Sequence, residues 1–276
     1  MVSANTAPHL EYLMAENAFR PPKPQNLAGK VVIVTGGSRG IGAGIAFELA
    51  QRGAKVAITY NQSKSDAKAQ EIVDQLKALG NGSTAIAIRK DLNDVSAPKF
   101  IVEETIRQFG PHIDILVNNA GVERMGSVVD TTVEDFDFVY NVNVRAPFLM
   151  LKEVIPHLRS PGRIINIGSI GGRQGFPGMS VYCSSKTAIE GMTRCWAWEL
   201  GGAKHTVNAV NPGPVPSDML ASLSDEIIEK QKANTPVENR VGTLDDIAQI
   251  VAWLASEESR WVTGQVIAAS GGCAMY

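Results

Sequence analysis

Two side chains four residues apart are suited to proton transfer. Tyr182 and Lys186 belong to the segment Tyr182-Cys183-Ser184-Ser185-Lys186, and positions i and i+4 share one face of a helix. A phenol has an ordinary pKa of about 10, and an ammonium held beside it favours the phenolate and lowers that pKa. Ser169 ends an apolar run 13 residues earlier, and its hydroxyl could polarise a carbonyl. The spacing predicts general acid–base chemistry, although a Tyr-x-x-x-Lys pair by itself occurs on many exposed helices.

A glycine-rich turn indicates a second kind of chemistry. Residues 35–42 read Thr-Gly-Gly-Ser-Arg-Gly-Ile-Gly and follow directly on an apolar run. Glycines let the backbone turn tightly and approach a pyrophosphate, whose charge then lies at the N-terminus of the next helix. The Gly-Lys-Ser/Thr ending of a triphosphate-binding loop is absent from this segment. The turn therefore predicts a dinucleotide site, with an ordinary glycine-rich turn as the alternative.

The second apolar run indicates which dinucleotide is bound. It ends Thr59-Tyr60-Asn61-Gln62-Ser63-Lys64, without an acidic residue before Asp66. NAD sites usually place Asp or Glu at this point, where it accepts hydrogen bonds from the ribose 2′-hydroxyl. Arg39, inside the glycine turn, adds a guanidinium suited to a phosphate. The pattern favours NADP(H) over NAD(H); the alternative is that Arg39 only forms a surface ion pair.

The elements that position these residues alternate along the chain from Lys30 onward. Apolar, β-rich runs are separated by stretches with helical spacing, and strands that are apolar on both faces form parallel sheets covered on both sides. The predicted fold class is α/β: a single doubly wound Rossmann-type domain with a seven-stranded parallel sheet flanked by helices on both faces. Strands are predicted at 31–35, 55–60, 84–88, 113–117, 163–167, 206–210 and 265–268. Helices are predicted around 41–53, 72–79, 100–109, 133–158, 184–200, 224–232 and 244–254.

The composition argues against several function classes. The 276 residues include 26 Lys+Arg against 28 Asp+Glu, a net charge of −2, and 44% of them are hydrophobic. This balance argues against a disordered chain and against a nucleic-acid partner bound through bulk charge. No run of about 18 apolar residues occurs, so no membrane partner is expected. Cys183, Cys195 and Cys273 are too scattered for a disulfide framework or a metal site, so we expect reduced thiols and no metal.

The N-terminal residues differ in character from the rest of the chain. Residues 1–26 lack a basic start followed by an apolar segment, so they are not expected to act as a secretory signal, and a cytoplasmic location is predicted. Their proline-rich end, Arg20-Pro21-Pro22-Lys23-Pro24, should be extended. We therefore predict a partly disordered extension over 1–26 and one Rossmann-fold domain over 27–276.

Taken in this order, the glycine turn and the set of Ser169, Tyr182 and Lys186 resemble the short-chain dehydrogenases/reductases. The likeness runs from about Leu27 to Gly272. It implies that Ser169, Tyr182 and Lys186 are catalytic residues of the Rossmann-fold domain. It also implies that Asn143, within the segment Asn141-Val142-Asn143, holds a water linked to Lys186.

Further motifs match the positions at which that family binds its cofactor. The resemblance implies that Asn118-Asn119-Ala120-Gly121 stabilises the sheet and lines the adenosine side, that Asp91-Leu92 contacts the adenine, and that the Pro212-Gly213 segment cradles the nicotinamide. Ser217 stands where Thr is common, and Ser270-Gly271-Gly272 replaces Asp-Gly-Gly. The NADP(H)-binding residues implied in this way are Gly36, Ser38, Arg39, Gly40, Ile41, Gly42, Tyr60, Asn61, Asp91, Leu92, Asn119, Ala120, Gly121, Tyr182, Lys186, Pro212, Gly213, Val215 and Ser217.

The activity implied by the resemblance is reduction of a small-molecule carbonyl by NADPH. Tyr182 would protonate the developing alkoxide while Ser169 hydrogen-bonds the same oxygen, and the acceleration would come from orientation and from donors aimed at the oxyanion. The alternatives are a 3-oxoacyl-thioester reductase and an NADP-dependent alcohol or polyol dehydrogenase. From a different class, the chain could be an NADP-binding member diverted to non-redox or regulatory work. The intact residue set favours the reductase.

The predicted substrate is a ketone on a hydrophobic skeleton, polyketide-derived or aromatic. The segments between Ser169 and Tyr182 and at Val122–Met125 suggest an apolar cleft with few fixed charges. The ending from Arg260 onward resembles that of fungal naphthol reductases and related polyketide-modifying members. The short, mildly apolar segment 217–223 is similar to that of 3-oxoacyl-thioester reductases.

The resemblance also implies a homotetramer or homodimer. Members of the family assemble through two helices beside the sheet, here Val133–Leu158 and Ser184–Leu200. The apolar face formed by Ile189, Met192, Cys195 and Trp196 fits such an interface. Burial of this face within the monomer is the alternative.

Overall fold

A parallel sheet of seven strands forms the centre of the molecule. The computed structural model describes residues 23–217, 220 and 224–276. The sheet has the order β3-β2-β1-β4-β5-β6-β7, and every neighbouring pair of strands is parallel. The strands are β1 (Val31–Val34), β2 (Lys55–Tyr60), β3 (Thr84–Arg89), β4 (Ile113–Asn118), β5 (Leu158–Ile167), β6 (Thr206–Pro212) and β7 (Val266–Ala269). The fold class predicted from the sequence is confirmed.

Helices cover both faces of this sheet, which explains why its central strands are apolar throughout. Every residue of β1, β4 and β6 is buried, so neither face of these strands meets water. The helices are α1 (Gly40–Gln51), α2 (Asp66–Lys77), α3 (Ala97–Phe109), α4 (Val133–Tyr140), α5 (Ala146–Val154), α6 (Ser180–Gly201), α7 (Asp225–Ala233) and α8 (Leu244–Ala255). One hydrophobic core lies between the sheet and α1, α2 and α8, and a second lies between the sheet and α3, α5 and α6.

The stretch 133–158, predicted as one helix, is interrupted in the structure. After α4 the chain forms a π-helical turn over Asn141–Arg145, continues as α5, and closes with a 3₁₀ turn over Ile155–His157 before β5 begins at Leu158. Pro147 and Pro156 account for the breaks, because proline has no backbone N–H to donate to the preceding turn. The periodicity of the apolar residues hides these breaks, so this prediction was wrong in detail.

Helix α6 begins earlier than predicted, at Ser180 instead of Ser184. This start places Tyr182 within its first turn. The apolar face predicted on this helix is largely internal: Ile189 and Trp196 are buried in the second core and Met192 packs against it, whereas Cys195 is exposed.

The chain preceding the first strand contacts helix α1. Lys23 pairs with Glu48 at 3.0 Å, and the Gln25 side chain donates to the Gln51 carbonyl at 2.8 Å. Residues 1–22 of the predicted extension lie outside the described residues. Within the described ranges, no helix is both long and apolar enough to cross a membrane.

Candidate active site

The residues predicted for the site gather at one edge of the sheet. The glycine turn follows β1, Asn119 to Gly121 follow β4, Ser169 follows β5, and Gly213 follows β6. In a parallel sheet the carboxyl ends of these strands all meet at the same edge, where ligands of doubly wound folds bind. Segments far apart in the sequence therefore form one cleft.

The glycine turn is held against the end of β4 by direct hydrogen bonds. The Thr35 hydroxyl accepts from the backbone N–H groups of Asn119 and Ala120 at 2.9 and 3.0 Å. The Asn119 side chain donates in return to the carbonyls of Thr35 and Gly36 at 2.8 and 3.2 Å. The motif after β4 thus fixes the shape of the turn, a role for Asn119 in addition to the predicted one.

The shape of the turn fits a dinucleotide pyrophosphate. A Cβ at Gly42 would overlap the Gly36 carbonyl oxygen and the Asn119 amide, and one at Gly37 would lie 2.6 Å from Ile58. Gly40 has φ +53° and open space beside it, and it begins helix α1. The side chain of its N-cap residue, Arg39, makes no capping hydrogen bond, and the first turn contains no acid. Its N–H groups and dipole are therefore available to an anion.

The end of β2 also fits the predicted preference for a phosphorylated ribose. The first acid beyond it, Asp66, pairs with Arg89 at 2.9 Å and hydrogen-bonds the Tyr60 phenol. Arg39 is exposed at the residue before α1, and Asn61 is exposed at the strand end. Burial and the neighbouring Asp66 raise the pKa of Tyr60, so its phenol remains a donor. Asp66, the nearest carboxylate that could accept a hydrogen bond from a ribose 2′-hydroxyl, is therefore paired with Arg89 and Tyr60.

The remaining predicted cofactor residues line the rest of the same edge. Asp91 accepts from the Asn93 N–H at 2.9 Å, and Leu92 beside it is buried. Gly213 packs closely against Ser270, where a Cβ would come within 2.9 Å of the Ser270 Cα. The other predicted contacts at this edge include buried Ser38 and Val215, Ile41 packed against the first core, and Pro212 at the end of β6.

Ser217 closes the described part of the segment after β6. Its hydroxyl accepts from the Leu220 N–H at 3.1 Å. Of the short, mildly apolar segment 217–223, residues 218, 219 and 221–223 lie outside the described residues. Ser270, which replaces the expected Asp, instead bonds Ala274 through its hydroxyl, at 3.2 Å to both the N–H and the carbonyl.

The three predicted catalytic side chains lie together, two of them almost fully buried and Ser169 of intermediate exposure. Tyr182 and Lys186 are 8% and 5% exposed on the inner face of α6. The Lys186 Nζ lies 5.7 Å from the centroid of the Tyr182 ring and donates to the Ile167 carbonyl at 3.0 Å. A hydrogen bond joins the Ser169 hydroxyl to the Tyr182 phenol. Gly121 makes room for the lysine, because a Cβ there would lie 3.2 Å from its Nζ.

Burial, and not the neighbouring lysine, dominates the electrostatics of this group. It raises the pKa of Tyr182 to about 12, an effect that the Ser169 hydrogen bond opposes. It lowers the pKa of Lys186 to about 8. The sequence-based expectation that Lys186 lowers the Tyr182 pKa therefore needs correction. Desolvation penalises the charged form of each group, and it is the largest cause of both pKa shifts.

Asn143 is buried in the π-helical turn and ties three segments together. Its side chain donates to the Val122 carbonyl at 2.9 Å and to the Ser185 hydroxyl at 3.0 Å, and it accepts from the Val122 N–H at 2.9 Å. Pro147 cannot donate the usual i→i−4 bond to the Asn143 carbonyl. The side chain thus holds the loop after β4 against α6, while Pro147 leaves the main-chain carbonyl without its usual i→i−4 donor.

Glu123 introduces a charge into the part of the cleft predicted to be apolar. Its carboxylate acts on the Tyr182 phenol and raises the pKa of that group, and partial burial raises the pKa of Glu123 itself. The adjacent Arg124 turns away to pair with Asp135 at 3.2 Å and to stack on Phe138. The sequence shows this charge as an acidic residue two positions after Gly121. The prediction of an apolar cleft wall at 122–125 overlooked it.

Comparison with known proteins decides the family. A family model described as enoyl-(acyl carrier protein) reductase matches residues 36–274. The chain is 46% identical over 256 residues to the short-chain dehydrogenase/reductase FrzI of Cladobotryum sp, covering 90% of this chain and 97% of that protein. The chain belongs to the short-chain dehydrogenase/reductase family. It is accordingly an oxidoreductase, as the motifs predicted.

Other relatives of this short-chain dehydrogenase/reductase are similar over comparable lengths. The hydroxynaphthalene reductase-like protein Arp2 of Metarhizium brunneum is 40% identical over 262 residues, which cover 90% of this chain and 96% of that protein. A blue fluorescent protein from a metagenomic library, solved in complex with NADPH, has a TM-score of 0.85 at 42% identity over 91% of this chain and all of its own. The angucycline C-6 ketoreductase LanV, solved with bound NADP, has a TM-score of 0.84 at 34% identity over 92% and 99% of the two chains.

Proposed function

We propose that this short-chain dehydrogenase/reductase is an NADPH-dependent reductase of a ketone on a hydrophobic, polyketide-derived or aromatic skeleton. The observation that carries the proposal is the buried Tyr182 phenol, hydrogen-bonded by Ser169 and backed by Lys186, at the edge of the sheet that holds the glycine turn. A single cleft thus offers a proton donor beside a site shaped for a dinucleotide.

Tyr182 is the general acid of the proposed reaction. NADPH, when bound, supplies the hydride. The raised pKa of Tyr182 keeps its phenol protonated at neutral pH, so a proton is ready for the substrate oxygen as negative charge develops there. The Ser169 hydroxyl, already within hydrogen-bond reach of the phenol, stabilises the same oxygen. The two donors act together on one atom.

Lys186 and Asn143 support the proton donor. A lysine whose pKa is lowered to about 8 can return a proton to the phenol after turnover and can bind a ribose hydroxyl. Since the Asn143 side chain is committed to Val122 and Ser185, we assign the binding of a relay water to its main-chain carbonyl. The remaining implied residues, from Gly36 to Ser217, bind NADP(H), with Arg39 at the 2′-phosphate.

The substrate class rests on similarity and on the charge in the cleft. Relatives named for hydroxynaphthalene and angucycline reduction support an aromatic, oxygen-rich skeleton. Glu123 beside the phenol suits a substrate that carries a hydroxyl donor near the reacting carbonyl. The alternative activities remain those of a 3-oxoacyl-thioester reductase and of an NADP-dependent alcohol or polyol dehydrogenase. The description of the family model adds an enoyl thioester to the substrates worth testing.

Loss of NADPH absorbance with a panel of substrates tests this proposal. The panel comprises hydroxylated aromatic ketones, simple ketones, 3-oxoacyl and enoyl thioesters, and polyols with NADP⁺. We expect the aromatic ketones to react fastest, and Tyr182→Phe to lower kcat between about 100-fold and 10,000-fold while NADPH binding is retained. Equal rates in the wild type and Tyr182→Phe would contradict the mechanism. NADPH binding without turnover of any substrate would favour the non-redox or regulatory alternative.

Assembly and location are part of the proposal. We propose a homotetramer or homodimer, supported by the exposed apolar side chains of Phe148 and Trp198, 48% and 90% exposed on α5 and α6. A monomer in sedimentation analysis at micromolar concentration would contradict it. We propose a cytoplasmic location, and fractionation of the producing cells tests that.

A further inference from the structure

A cluster of four polar side chains lies behind Ser169 and is not used by the mechanism described above. Its members are Arg173 from the loop after β5, Glu190 from α6, Asn211 from β6, and Tyr276 from the segment after β7. Glu190 lies one helical turn beyond Lys186, and Asn211 is followed directly by Pro212 and Gly213. The cluster therefore joins three segments that carry parts of the proposed site: the loop after β5, helix α6 and the end of β6.

Asn211 is the centre of this cluster, and its amide has only one orientation that satisfies all its partners. The Oδ1 atom accepts from the backbone N–H of Ser169 at 3.1 Å. The Nδ2 group donates to the Glu190 carboxylate at 2.7 Å and to the Tyr276 phenol oxygen at 2.8 Å. A flipped amide would place its N–H₂ group against the Ser169 N–H, and two donors cannot bond each other. The Glu190 carboxylate, which needs a donor, therefore keeps the amide oxygen of Asn211 directed at Ser169.

Glu190 is a buried charge with a full set of partners. It is 2% exposed, and its second oxygen pairs with the Nε of Arg173. The Arg173 guanidinium in turn stacks 4.8 Å from the centroid of the Tyr276 ring. A buried carboxylate is strongly disfavoured unless it is paired and hydrogen-bonded, so Glu190 holds its two direct partners, Asn211 and Arg173, in one geometry.

The backbone around Ser169 is shaped to receive this contact. A Cβ at Gly168 would overlap the Asn211 Oδ1, so only glycine permits the approach. On the other side, the Ser169 hydroxyl accepts from the Gly171 N–H at 3.0 Å and contacts the Tyr182 phenol. The position of that hydroxyl therefore follows from where Asn211 holds the Ser169 N–H.

We propose that Glu190 is a positioning residue, which acts through Asn211 to fix Ser169 against the Tyr182 phenol. Because Glu190 and Tyr182 lie on the same helix, the chain Glu190–Asn211–Ser169 sets the separation of the two proton-donating side chains across the cleft. Arg173 and Tyr276 keep the carboxylate in place. The role rests on the function proposed above, since it concerns the same hydroxyl and the same phenol.

A double-mutant cycle with Ser169 tests this role. Glu190→Gln keeps the side-chain shape but removes the charge that orients Asn211 and pairs with Arg173. We expect it to lower kcat by about 10-fold to 100-fold, the loss typical of a misplaced reacting group, with little change in the Kd for NADPH. In a Ser169→Ala background the same substitution should lower kcat by less than about twofold, since the hydroxyl it positions is absent. The proposal would be overturned if Glu190→Gln lowered kcat by the same factor in the Ser169→Ala background as in the wild type. An unchanged kcat in Glu190→Gln alone would also overturn it.

Hydrogen exchange supplies a readout that does not depend on turnover. In the full-length protein, Glu190→Gln should speed exchange of the Ser169 amide by about 10-fold or more, because its acceptor on Asn211 is no longer held. Glu48→Gln is the matched control: Glu48 is equally buried and pairs with Arg52 at 2.7 Å, but it lies at the far end of α1. That variant should lose stability without changing the Ser169 exchange or kcat. Unaltered Ser169 exchange in Glu190→Gln would overturn the proposal even if the wild type reduced no ketone.

Tyr276→Phe provides a milder variant at a half-exposed position. It removes only the phenol oxygen that accepts from Asn211 Nδ2 and retains the ring under Arg173. We expect a loss in kcat of about threefold to tenfold, in the same direction as Glu190→Gln and likewise absent in the Ser169→Ala background. A loss that persists undiminished in that background would contradict the assigned route.

Discussion

The Lys186 ammonium nitrogen lies 5.7 Å from the centroid of the Tyr182 ring and donates its hydrogen bond to the Ile167 carbonyl, 3.0 Å away. The lysine is therefore anchored to the end of β5 and not to the phenol oxygen. Each group is buried, and each has its pKa moved towards the neutral form, Tyr182 to about 12 and Lys186 to about 8. The pair thus combines a protonated phenol with an amine that exchanges protons near neutral pH.

Replacement of Lys186 by methionine should stabilise the protein while abolishing activity. The folded-state pKa of Lys186, about 8, lies below its ordinary 10.5, so the folded protein binds fewer protons than the unfolded chain between these values. The wild type therefore carries the full cost of the buried ammonium below pH 8, and that cost fades as the pH rises towards 10.5. The free energy of unfolding of Lys186→Met should be higher by about 1 to 2 kcal/mol at neutral pH, with the lost hydrogen bond to Ile167 taken into account.

Urea unfolding at several pH values measures this effect. The advantage of Lys186→Met should be largest below pH 8 and should shrink between about pH 8 and pH 10.5. Lys152→Met, at an exposed position on α5, is the control and should show no such pH dependence. A methionine variant less stable than the wild type at neutral pH would show that burial does not penalise this lysine.

Arg39→Ala should weaken NADPH binding much more than NADH binding. The Arg39 side chain is exposed beside the open N-terminus of α1, where a 2′-phosphate would come within reach of its guanidinium. A charged hydrogen bond of this kind corresponds to a loss of about 10-fold to 100-fold in Kd for NADPH. Titration of protein fluorescence with both cofactors measures the difference. Arg107→Ala, on the exposed side of α3, should change neither Kd, and equal losses in Arg39→Ala would contradict the phosphate assignment.

Gly42→Ala and Gly191→Ala should have opposite effects, although both change a helical glycine. A Cβ at Gly42 would overlap the Gly36 carbonyl and the Asn119 amide, whereas a Cβ at Gly191 would meet no heavy atom of the described residues within 4 Å apart from the backbone of its own helix turn. Gly42→Ala should lower the free energy of unfolding by about 1 to 3 kcal/mol and raise the Kd for NADPH, because the glycine turn must widen to accept the Cβ. Gly191→Ala should gain up to about 1 kcal/mol through helix propensity. Thermal unfolding distinguishes the two, and a neutral Gly42→Ala would mean that the turn adapts freely.

Glu123→Gln should shift the pH dependence of alcohol oxidation to lower pH. The Glu123 charge raises the pKa of Tyr182, and oxidation needs the phenolate, so removal of that charge makes the base available earlier. We expect the rising limb of kcat for oxidation with NADP⁺ to move down by about half a pH unit. The substitution should not change the rate of ketone reduction at neutral pH through the protonation of Tyr182, since the phenol stays protonated in both proteins.

The control for this prediction removes an exposed charge. Glu134→Gln, at the start of α4, changes the net charge identically but lies at the surface. Its pH profile should match that of the wild type. A shift of Glu123→Gln to higher pH would show that Glu123 acts on Tyr182 in some way other than through its charge.

The sequence by itself determined the order of the strands and helices and the residue types at their ends. Alternation of apolar runs with helical spacing predicted the parallel sheet, because strands buried on both faces must be apolar throughout. The glycine turn and Ser169 were identified because they follow directly on strands, and Tyr182 and Lys186 because their spacing places them on one face of a helix. These features are local, so the residues alone report them.

Only the tertiary structure decided the electrostatics and the supporting contacts. The direction of the Tyr182 pKa shift depends on burial, which no spacing reveals. The Glu190–Asn211–Ser169 chain joins residues from three separate segments, and Glu123 acts on Tyr182 from a loop 59 positions earlier in the numbering. Such contacts form only when the sheet brings distant strand ends together, and desolvation then acts on whatever charges meet there.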